Sequence, residues 1–456
     1  MTDPKRYALV GTGSRAEMFE RAIVRDHPTT ASLVALCDTN PVRVQAHQRY
    51  LAELGAPAAV AYDAADFTEM LAKEQVDGVI VTTMDSTHAD YITRALRAGC
   101  DVLTEKPMTT DLAGCEAILD TVRETGRNVT VTFNYRFNPV HEQVKRLLDE
   151  GAVGEIGSVH FEWLLDVRHG ADYFRRWHRE KKNSGGLLVH KSGHHFDLVN
   201  WWLSPPAPAR AGSEDGGPAP LETARPVDVS AYGQLFFYGE TGRRHGYARD
   251  YERAHGSPAA TDDPFALHLA AHPRLRELYL DAESADGYQR DRNVFAGGID
   301  IEDDLAVMVR YNTGATMTYH LTAYAPWEGY RLMVNGSRGR LELEVVENDH
   351  VSLGASGALK GAALHGDEAA AEQGRVRLTL HRFWEPPVEI DVPEKSREGH
   401  GGADAKMTGI LFGGATDPLR RSATERDGAL ALLTGLAANR ALATGAPVHV
   451  PDLLTL

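Results

Sequence analysis

The sequence predicts an α/β protein, in which an N-terminal doubly wound parallel sheet is followed by an α+β domain with an open, largely antiparallel sheet. Three observations carry that prediction. Short apolar runs alternate with helix-spaced segments from Tyr7 to Phe133, the pattern of parallel strands joined by crossover helices. The first run ends in a glycine-rich turn, Gly11-Thr12-Gly13-Ser14-Arg15-Ala16. Regular β pattern returns from Leu305 to Val346, broken by Asn312-Thr313-Gly314 and Asn335-Gly336-Ser337 turns.

Taken in order, Tyr7 to Val10 reads as a strand, and Met18, Phe19, Ala22 and Ile23 keep helical spacing after the turn. The turn matches G-x-G-x-x-G/A with Ala16 in third place, where a small residue lets helix and strand approach. Gly11 makes the tight bend. Gly13 leaves room for a pyrophosphate against N–H groups at the helix start, which makes Thr12, Ser14 and Arg15 candidate cofactor contacts. The strand Leu33 to Cys37 runs into Asp38, where this fold places the acid that hydrogen-bonds the adenosine ribose. An acid there repels a 2′-phosphate, so NAD is expected over NADP. Arg15 and Arg43 keep NADP open, and the alternative for Asp38 is a helix cap before Pro41. The unit continues with a helix from Ala64 to Lys73, a strand from Gly78 to Val81, a helix from His88 to Ala98 and a strand from Asp101 to Thr104. A helix from Asp111 to Thr125 and a strand from Val129 to Phe133 complete it. Thr83, Asp85 and His88 fall on a polar loop at the ligand edge of the sheet, although Asp85 or Ser86 can equally cap the next helix. The domain boundary is expected at Asn138, giving a nucleotide-binding domain over 1–138 and a substrate-binding and oligomerisation domain over 139–456.

Composition excludes several classes. The chain has 456 residues, 43% hydrophobic and 25% charged, which suits two ordinary globular domains. A formal net charge of -16 speaks against nucleic acid or an anionic membrane as partner. Cys37, Cys100 and Cys115 form no C-x-x-C pair, so neither a disulfide framework nor a zinc ribbon is expected. With no signal-like start and no apolar run of membrane-spanning length, the expected location is cytoplasmic.

The glycine turn, Asp38, the T-x-D-x-x-H stretch from Thr83 to His88, Glu105-Lys106-Pro107 and Asn134-Tyr135-Arg136-Phe137-Asn138-Pro139 stand in the order seen in the Gfo/Idh/MocA oxidoreductases. The chain resembles the sugar and inositol dehydrogenases of that family, strongly over its first 140 residues or so and more loosely to about Leu203. The resemblance implies that Lys106 sits beside the nicotinamide and binds the substrate hydroxyl. It also implies that Glu105, Asn134 and Arg136 lie at the cofactor, and that Pro107 is the family's turn proline, often cis.

The second constellation is Gly185-Gly186-Leu187-Leu188-Val189-His190-Lys191-Ser192-Gly193-His194-His195-Phe196-Asp197. The family pattern is similar to G-G-x-x-x-D-x-G-x-H-x-x-D, so His190 stands where an aspartate is usual. Oxidising a secondary alcohol requires a base for the hydroxyl proton, and an imidazole titrates near neutral pH. His194 is the candidate base, Lys106 polarises the oxygen, and His190 assists by sharing the proton, binding a substrate hydroxyl or relaying to solvent. His190 and His194 at i and i+4 can ligate a metal on a helix, but the H-E-x-x-H form is absent and no metal is expected. His195 reads as a packed or capping residue.

Asp166, Arg168, Trp177 and His178 lie in a segment dense in charge and aromatics, the mixture that reads sugar hydroxyls and faces, and they are candidate substrate ligands. Irregular insertions are expected near 204–226 and 243–291, the second as a lid or a subunit contact. Leu305 to Val346 reads as an antiparallel meander; His320, Tyr324 and Trp327 after its second strand are within reach of a site, and Arg421 to Thr444 reads as a closing helix. The resemblance implies a homo-oligomer, dimer or tetramer, through the outer face of that sheet. The expected function is NAD-dependent oxidation or reduction of a secondary hydroxyl on a sugar, glycoside or cyclitol. Two alternatives are an NAD-dependent glycosidase that works by transient oxidation and elimination, and a non-catalytic dinucleotide-binding metabolite sensor.

Overall fold

The computed structural model describes residues 3–205, 223–351, 374–392 and 402–456. The first sheet contains β1 (Lys5–Val10), β2 (Ala31–Asp38), β3 (Val60–Asp63), β4 (Gly78–Val81), β5 (Asp101–Thr104) and β6 (Val129–Val131), all parallel, in the order β6-β5-β4-β1-β2-β3. A short strand, Ala423–Thr424, adds antiparallel at the β6 edge. All four residues of β4 are buried and apolar or glycine, as a central strand covered on both faces requires. The order reverses between β1 and β4, and this opens a crevice at their carboxyl ends. Gly11 lies there with φ +94°, and a Cβ on it would fall 2.6 Å from the backbone of Thr82, so only glycine fits.

The helix Pro41–Glu53 is capped by Asn40, whose side chain accepts from the N–H groups of Val42 and Arg43. Asp38 is therefore free of the capping duty that its sequence context allowed. Strand β3, short and mostly exposed, is an element the sequence reading did not predict.

The second sheet contains β7 (Ile156–Asp166), β8 (Pro226–Gln234), β9 (Asp304–Tyr311), β10 (Thr316–Ala325), β11 (Glu328–Gly336), β12 (Gly339–Asn348), β13 (Arg375–Arg382), β14 (Val388–Ile390) and a final short strand, Val448–His449. Their order is β14-β13-β12-β11-β7-β10-β9-β8 and then Val448–His449. The expected meander is corrected here: β7 separates two hairpins, pairing parallel with β10 and antiparallel with β11. Its alternating Val159, Phe161, Trp163 and Leu165 face the core, a period-two signal that was present in the sequence. The helices Ser192–Leu203 and Glu425–Thr444 cover this inner face. Each fully buried leucine on it, such as Leu321 or Leu332, contributes roughly 1.5–3 kcal/mol. On the outer face Tyr232 and Met308 are exposed, and His320, within β10 rather than after it, pairs with Asp304 at 2.8 Å. His320 is thus on the surface and not at a site.

The 243–291 excursion folds back over the nucleotide crevice. The stretch Pro273–Leu280 packs on the helix Pro41–Glu53, with Arg274 paired to Glu17 and Arg49 to Glu277. Asn40 donates to Ala282 O at 3.0 Å, and Arg43 meets Asp286 at 2.6 Å. The excursion thus packs along the rim of the crevice. Most of the 204–226 insertion lies outside the described residues.

Candidate active site

The dinucleotide crevice is built by hydrogen bonds within the glycine turn. Asp38 accepts from Thr12 N–H at 2.6 Å, from Thr12 Oγ1 at 2.9 Å and from Asn40 N–H at 2.8 Å, which fixes the turn against β2. A Cβ at Gly13 would meet only the Tyr279 hydroxyl, at 3.7 Å, and that hydroxyl accepts from Ser14 N–H at 3.2 Å. A cradle closed to any side chain at Gly11 and open above Gly13, with an acid at the end of β2, fits a dinucleotide.

Lys106 follows β5, and the Lys106–Pro107 bond is cis, as the resemblance implied. His88, fully buried, stands between Pro107 O at 2.8 Å and Thr83 O at 3.1 Å. Burial depresses its pKa, the two carbonyls it meets oppose that shift, and the ring spans the loop after β4 and the turn carrying Lys106. Thr83 and His88 are thereby fixed within the wall.

The Lys106 ammonium donates to His190 O at 3.1 Å and lies 3.3 Å from His190 Nε2, while His190 Nδ1 lies 2.5 Å from Asp85 Oδ2. A protonated lysine offers only N–H, so Nε2 accepts and the imidazole proton sits on Nδ1, donated to Asp85. Asp85 is not the helix cap: the residue at that position is Thr87. Burial pushes the Asp85 carboxyl well up and the Lys106 amine down, and each opposes that shift in the other by its charge. Burial, and then the charges of Lys106 and Arg176, hold His190 well below the usual imidazole range. The three groups form one buried proton-sharing chain.

His178 meets His190 edge-on at 4.2 Å and is stacked by Trp177 at 3.5 Å. Arg176 Nη2 lies 3.4 Å from His178 Nε2. Burial, reinforced by Arg176, also holds His178 well below its ordinary value. Donor atoms of Asp85, His178 and His190 lie within 4.8 Å of one another, a spacing a metal accepts, but Lys106 and Arg176 set two positive charges against it.

His194, one turn further on, stacks on Tyr135 at 4.2 Å and meets Phe133 edge-on at 5.8 Å. His195 stacks on Trp163 at 4.1 Å and holds Tyr319 Oη at 2.7 Å, which is the packed role expected of it. Lys191 donates to Tyr135 Oη at 2.9 Å over the faces of Tyr135 and Trp163. Burial pushes its pKa down to about 8.

Several candidates also have structural duties. Asp166 caps the helix Val167–Arg175, accepting from the N–H groups of Arg168 and His169 at 2.9 Å each and from Asn348 at 2.7 Å. Arg168 lies half-buried in the first turn of that helix. Arg136 is paired with Asp197 at 2.6 and 2.8 Å, a buried ion pair. Asn134 donates to Asp404 at 3.0 Å, and Arg15 bridges Glu105 at 2.6 Å and Asp404 at 3.5 Å at the crevice edge. In the sequence His400-Gly401-Gly402 and Asp404 read as another glycine-rich loop, an active-site flap or merely a turn; His400 and Gly401 lie outside the described residues. The sequence reading missed Arg175, Arg176, Asp172 and Arg290 as a group, since nothing local links Arg290 to the other three.

Models of an oxidoreductase family match the chain twice, as its NAD-binding Rossmann fold over residues 5–133 and its C-terminal alpha/beta domain over residues 145–450. YteT of Bacillus subtilis (strain 168), which carries an oxidoreductase name, is 33% identical over 476 residues, covering 99% of each chain. Inositol 2-dehydrogenase of Rhizobium meliloti (strain 1021) is 25% identical over 293 residues, 62% of this chain and 80% of that one. Among solved structures, the WlbA dehydrogenase from Bordetella pertussis, in complex with NADH and UDP-GlcNAcA, superposes with a TM-score of 0.61 at 19% identity, covering 99% of both chains. The aldose-aldose oxidoreductase from Caulobacter crescentus, with glycerol, gives a TM-score of 0.61 at 18% identity over 98% of this chain and 99% of that one. Both show the fold.

Proposed function

The chain belongs to the Gfo/Idh/MocA oxidoreductase family, and on that premise we propose that it is an NAD-dependent oxidoreductase acting on a secondary hydroxyl of a sugar, glycoside or cyclitol. The observation that carries the reading is the buried chain from Lys106 through His190 to Asp85 at the ligand edge of the nucleotide-binding sheet. Bound NAD supplies the hydride acceptor. Thr12, Gly13 and Ser14 would hold its diphosphate and Asp38 its ribose. Arg43, the cation beside Asp38, is engaged by Asp286, which supports NAD over NADP.

The protein's own groups manage the proton. Lys106 donates a hydrogen bond to the substrate oxygen and stabilises charge developing there. His194, held in plane by Tyr135, is the proposed base for the hydroxyl proton. His190 holds Lys106 on one side and Asp85 on the other, so the acid usual at position 190 is supplied by Asp85 through the imidazole. Reduction of a carbonyl runs the same proton path backwards. The exposed Tyr232 and Met308 support assembly of copies through the outer sheet face.

Incubation with NAD and a panel of sugars, cyclitols and aryl glycosides tests the reading. Formation of NADH in proportion to substrate consumed supports it; no hydride transfer to NAD with any of them contradicts it. One observation favours a second reading, the redox-neutral glycosidase: Tyr279 and its segment cover the glycine turn and would retain the nucleotide between the two half-reactions. Aglycone release without net NADH is its signature.

A further inference from the structure

We propose that the substrate carries a carboxylate, as a uronic acid does, and that Arg176 receives it. This deepens the preceding reading and rests on it for the identity of the substrate as a sugar. The Asp172 carboxylate is met by three guanidinium groups: Arg290 at 2.8 and 3.2 Å, Arg176 at 3.1 Å and Arg175 at 3.4 Å. All four side chains are more than nine-tenths buried. Three guanidinium groups share this one carboxylate, and the next acid on which the charge of Arg176 bears, Asp85, is itself engaged by His190. Burying unpaired charge is costly, so such a cluster is complete only with a further anion.

Other observations point the same way. The Nε atoms of Arg175 and Arg290 and the Nδ1 atom of His178 have no hydrogen-bond partner among the described residues, although each is buried. Burial depresses the pKa of Arg175, and the charge of Arg290 adds to that against the pull of Asp172. Arg176 is the member that faces the chemistry: it reaches His178 at 3.4 Å, and its charge bears on Asp85, Lys106 and His190. A planar guanidinium matches a carboxylate with two parallel N–H donors, which no neutral hydroxymethyl group can use.

The missing anion has two possible sources, a substrate carboxylate and the cofactor diphosphate. The diphosphate belongs at the glycine turn, and the member of the cluster that approaches this turn is Arg290, 5.5 Å over the ring of Tyr279, whose hydroxyl accepts from Ser14 N–H. Arg176 stands at the Lys106 and His190 end instead. The substrate is therefore the source assigned to it.

Calorimetric titration of the protein–NADH complex with glucuronate and galacturonate, against glucose and galactose, tests this without requiring turnover. The acids should bind tighter than their neutral partners by roughly tenfold to a hundredfold, the range of a charged hydrogen-bonded pair. Arg176→Met should remove that ratio, and Arg176→Lys should restore part of it. Equal binding of acid and neutral sugar by the wild-type protein overturns the proposal. So does an Arg176→Met variant that weakens NADH while the acid-to-neutral ratio persists, since the guanidinium then serves the diphosphate. Failure of hydride transfer with a panel of sugars would count against the oxidoreductase reading alone, because these titrations measure binding.

Discussion

His190 and His194 stand four residues apart, yet one is placed in a polar chain and the other in an aromatic frame. His190 touches Lys106 and Asp85 and faces a second imidazole, His178. His194 touches the rings of Tyr135 and Phe133, within a frame that runs on through Trp163 to Tyr330. The helical ladder is interrupted at Lys191: His194 N–H donates to Lys191 O, while His190 O accepts from Lys106, and the i and i+4 spacing leaves the two imidazoles among different partners. On the proposed reading, His190 joins Lys106 to a buried acid, Asp85, where the resemblance implies an acid at position 190 itself. An imidazole at 190 reaches one residue further than an aspartate, and at the end of that reach stands Asp85.

The comparison can be broken at either end, and the largest effect is expected at their common partner. Lys106→Met should lower kcat/KM by roughly 10³-fold or more while NAD affinity, followed by fluorescence, changes little. On the aromatic side, His194→Phe keeps the stack and removes the nitrogens. It should retain its melting temperature and lose activity by about 10²–10³-fold. Activity near wild type would make His194 a member of the frame and no more.

On the polar side, Asp85→Asn should lower kcat by roughly 10- to 100-fold and move the alkaline limb of the pH profile. The sign follows from the pair: Asp85's charge works to raise the Lys106 pKa against burial, so its removal lets Lys106 fall further and the limb shifts to lower pH. A limb that stays in place would uncouple the two.

The smallest effect concerns stability. Burial pushes Glu328, held by His169 at 2.7 Å, up from 4.5 to about 7. Between those values the unfolded chain releases a proton that the native state keeps, so this group's contribution declines as pH rises through that window. Glu328→Gln should lack that decline, and should gain relative to wild type by about 1–2 kcal/mol in denaturation compared at roughly pH 5 and roughly pH 8.

How much of this was legible in the sequence depended on how local the signal was. The glycine turn, Asp38 and the β4 and β5 strands are read from contiguous residues, and their structural bounds for β4 and β5 match the sequence reading. The meander was misread because β7 is contributed from far upstream, and hydrophobic alternation fixes a strand's faces but not its neighbours. Asp166 and Arg136 have the right chemistry for ligands, but their partners, Asn348 and Asp197, are distant in sequence and turn them to structural use. Asp85 was assigned to the cofactor for its place in a loop; only the fold shows that it faces His190 across 105 residues.

The central claim is that Asp85 acts through His190 in place of an acid at position 190. Because Lys106 already donates to the backbone carbonyl of His190, an aspartate side chain at 190 would lie within its reach. The most direct measurement compares kcat/KM for Asp85→Asn with that for the double variant Asp85→Asn, His190→Asp. Recovery of most of the lost activity in the double variant is the predicted result. Losses that simply multiply, or an Asp85→Asn variant as active as the wild type, would contradict it.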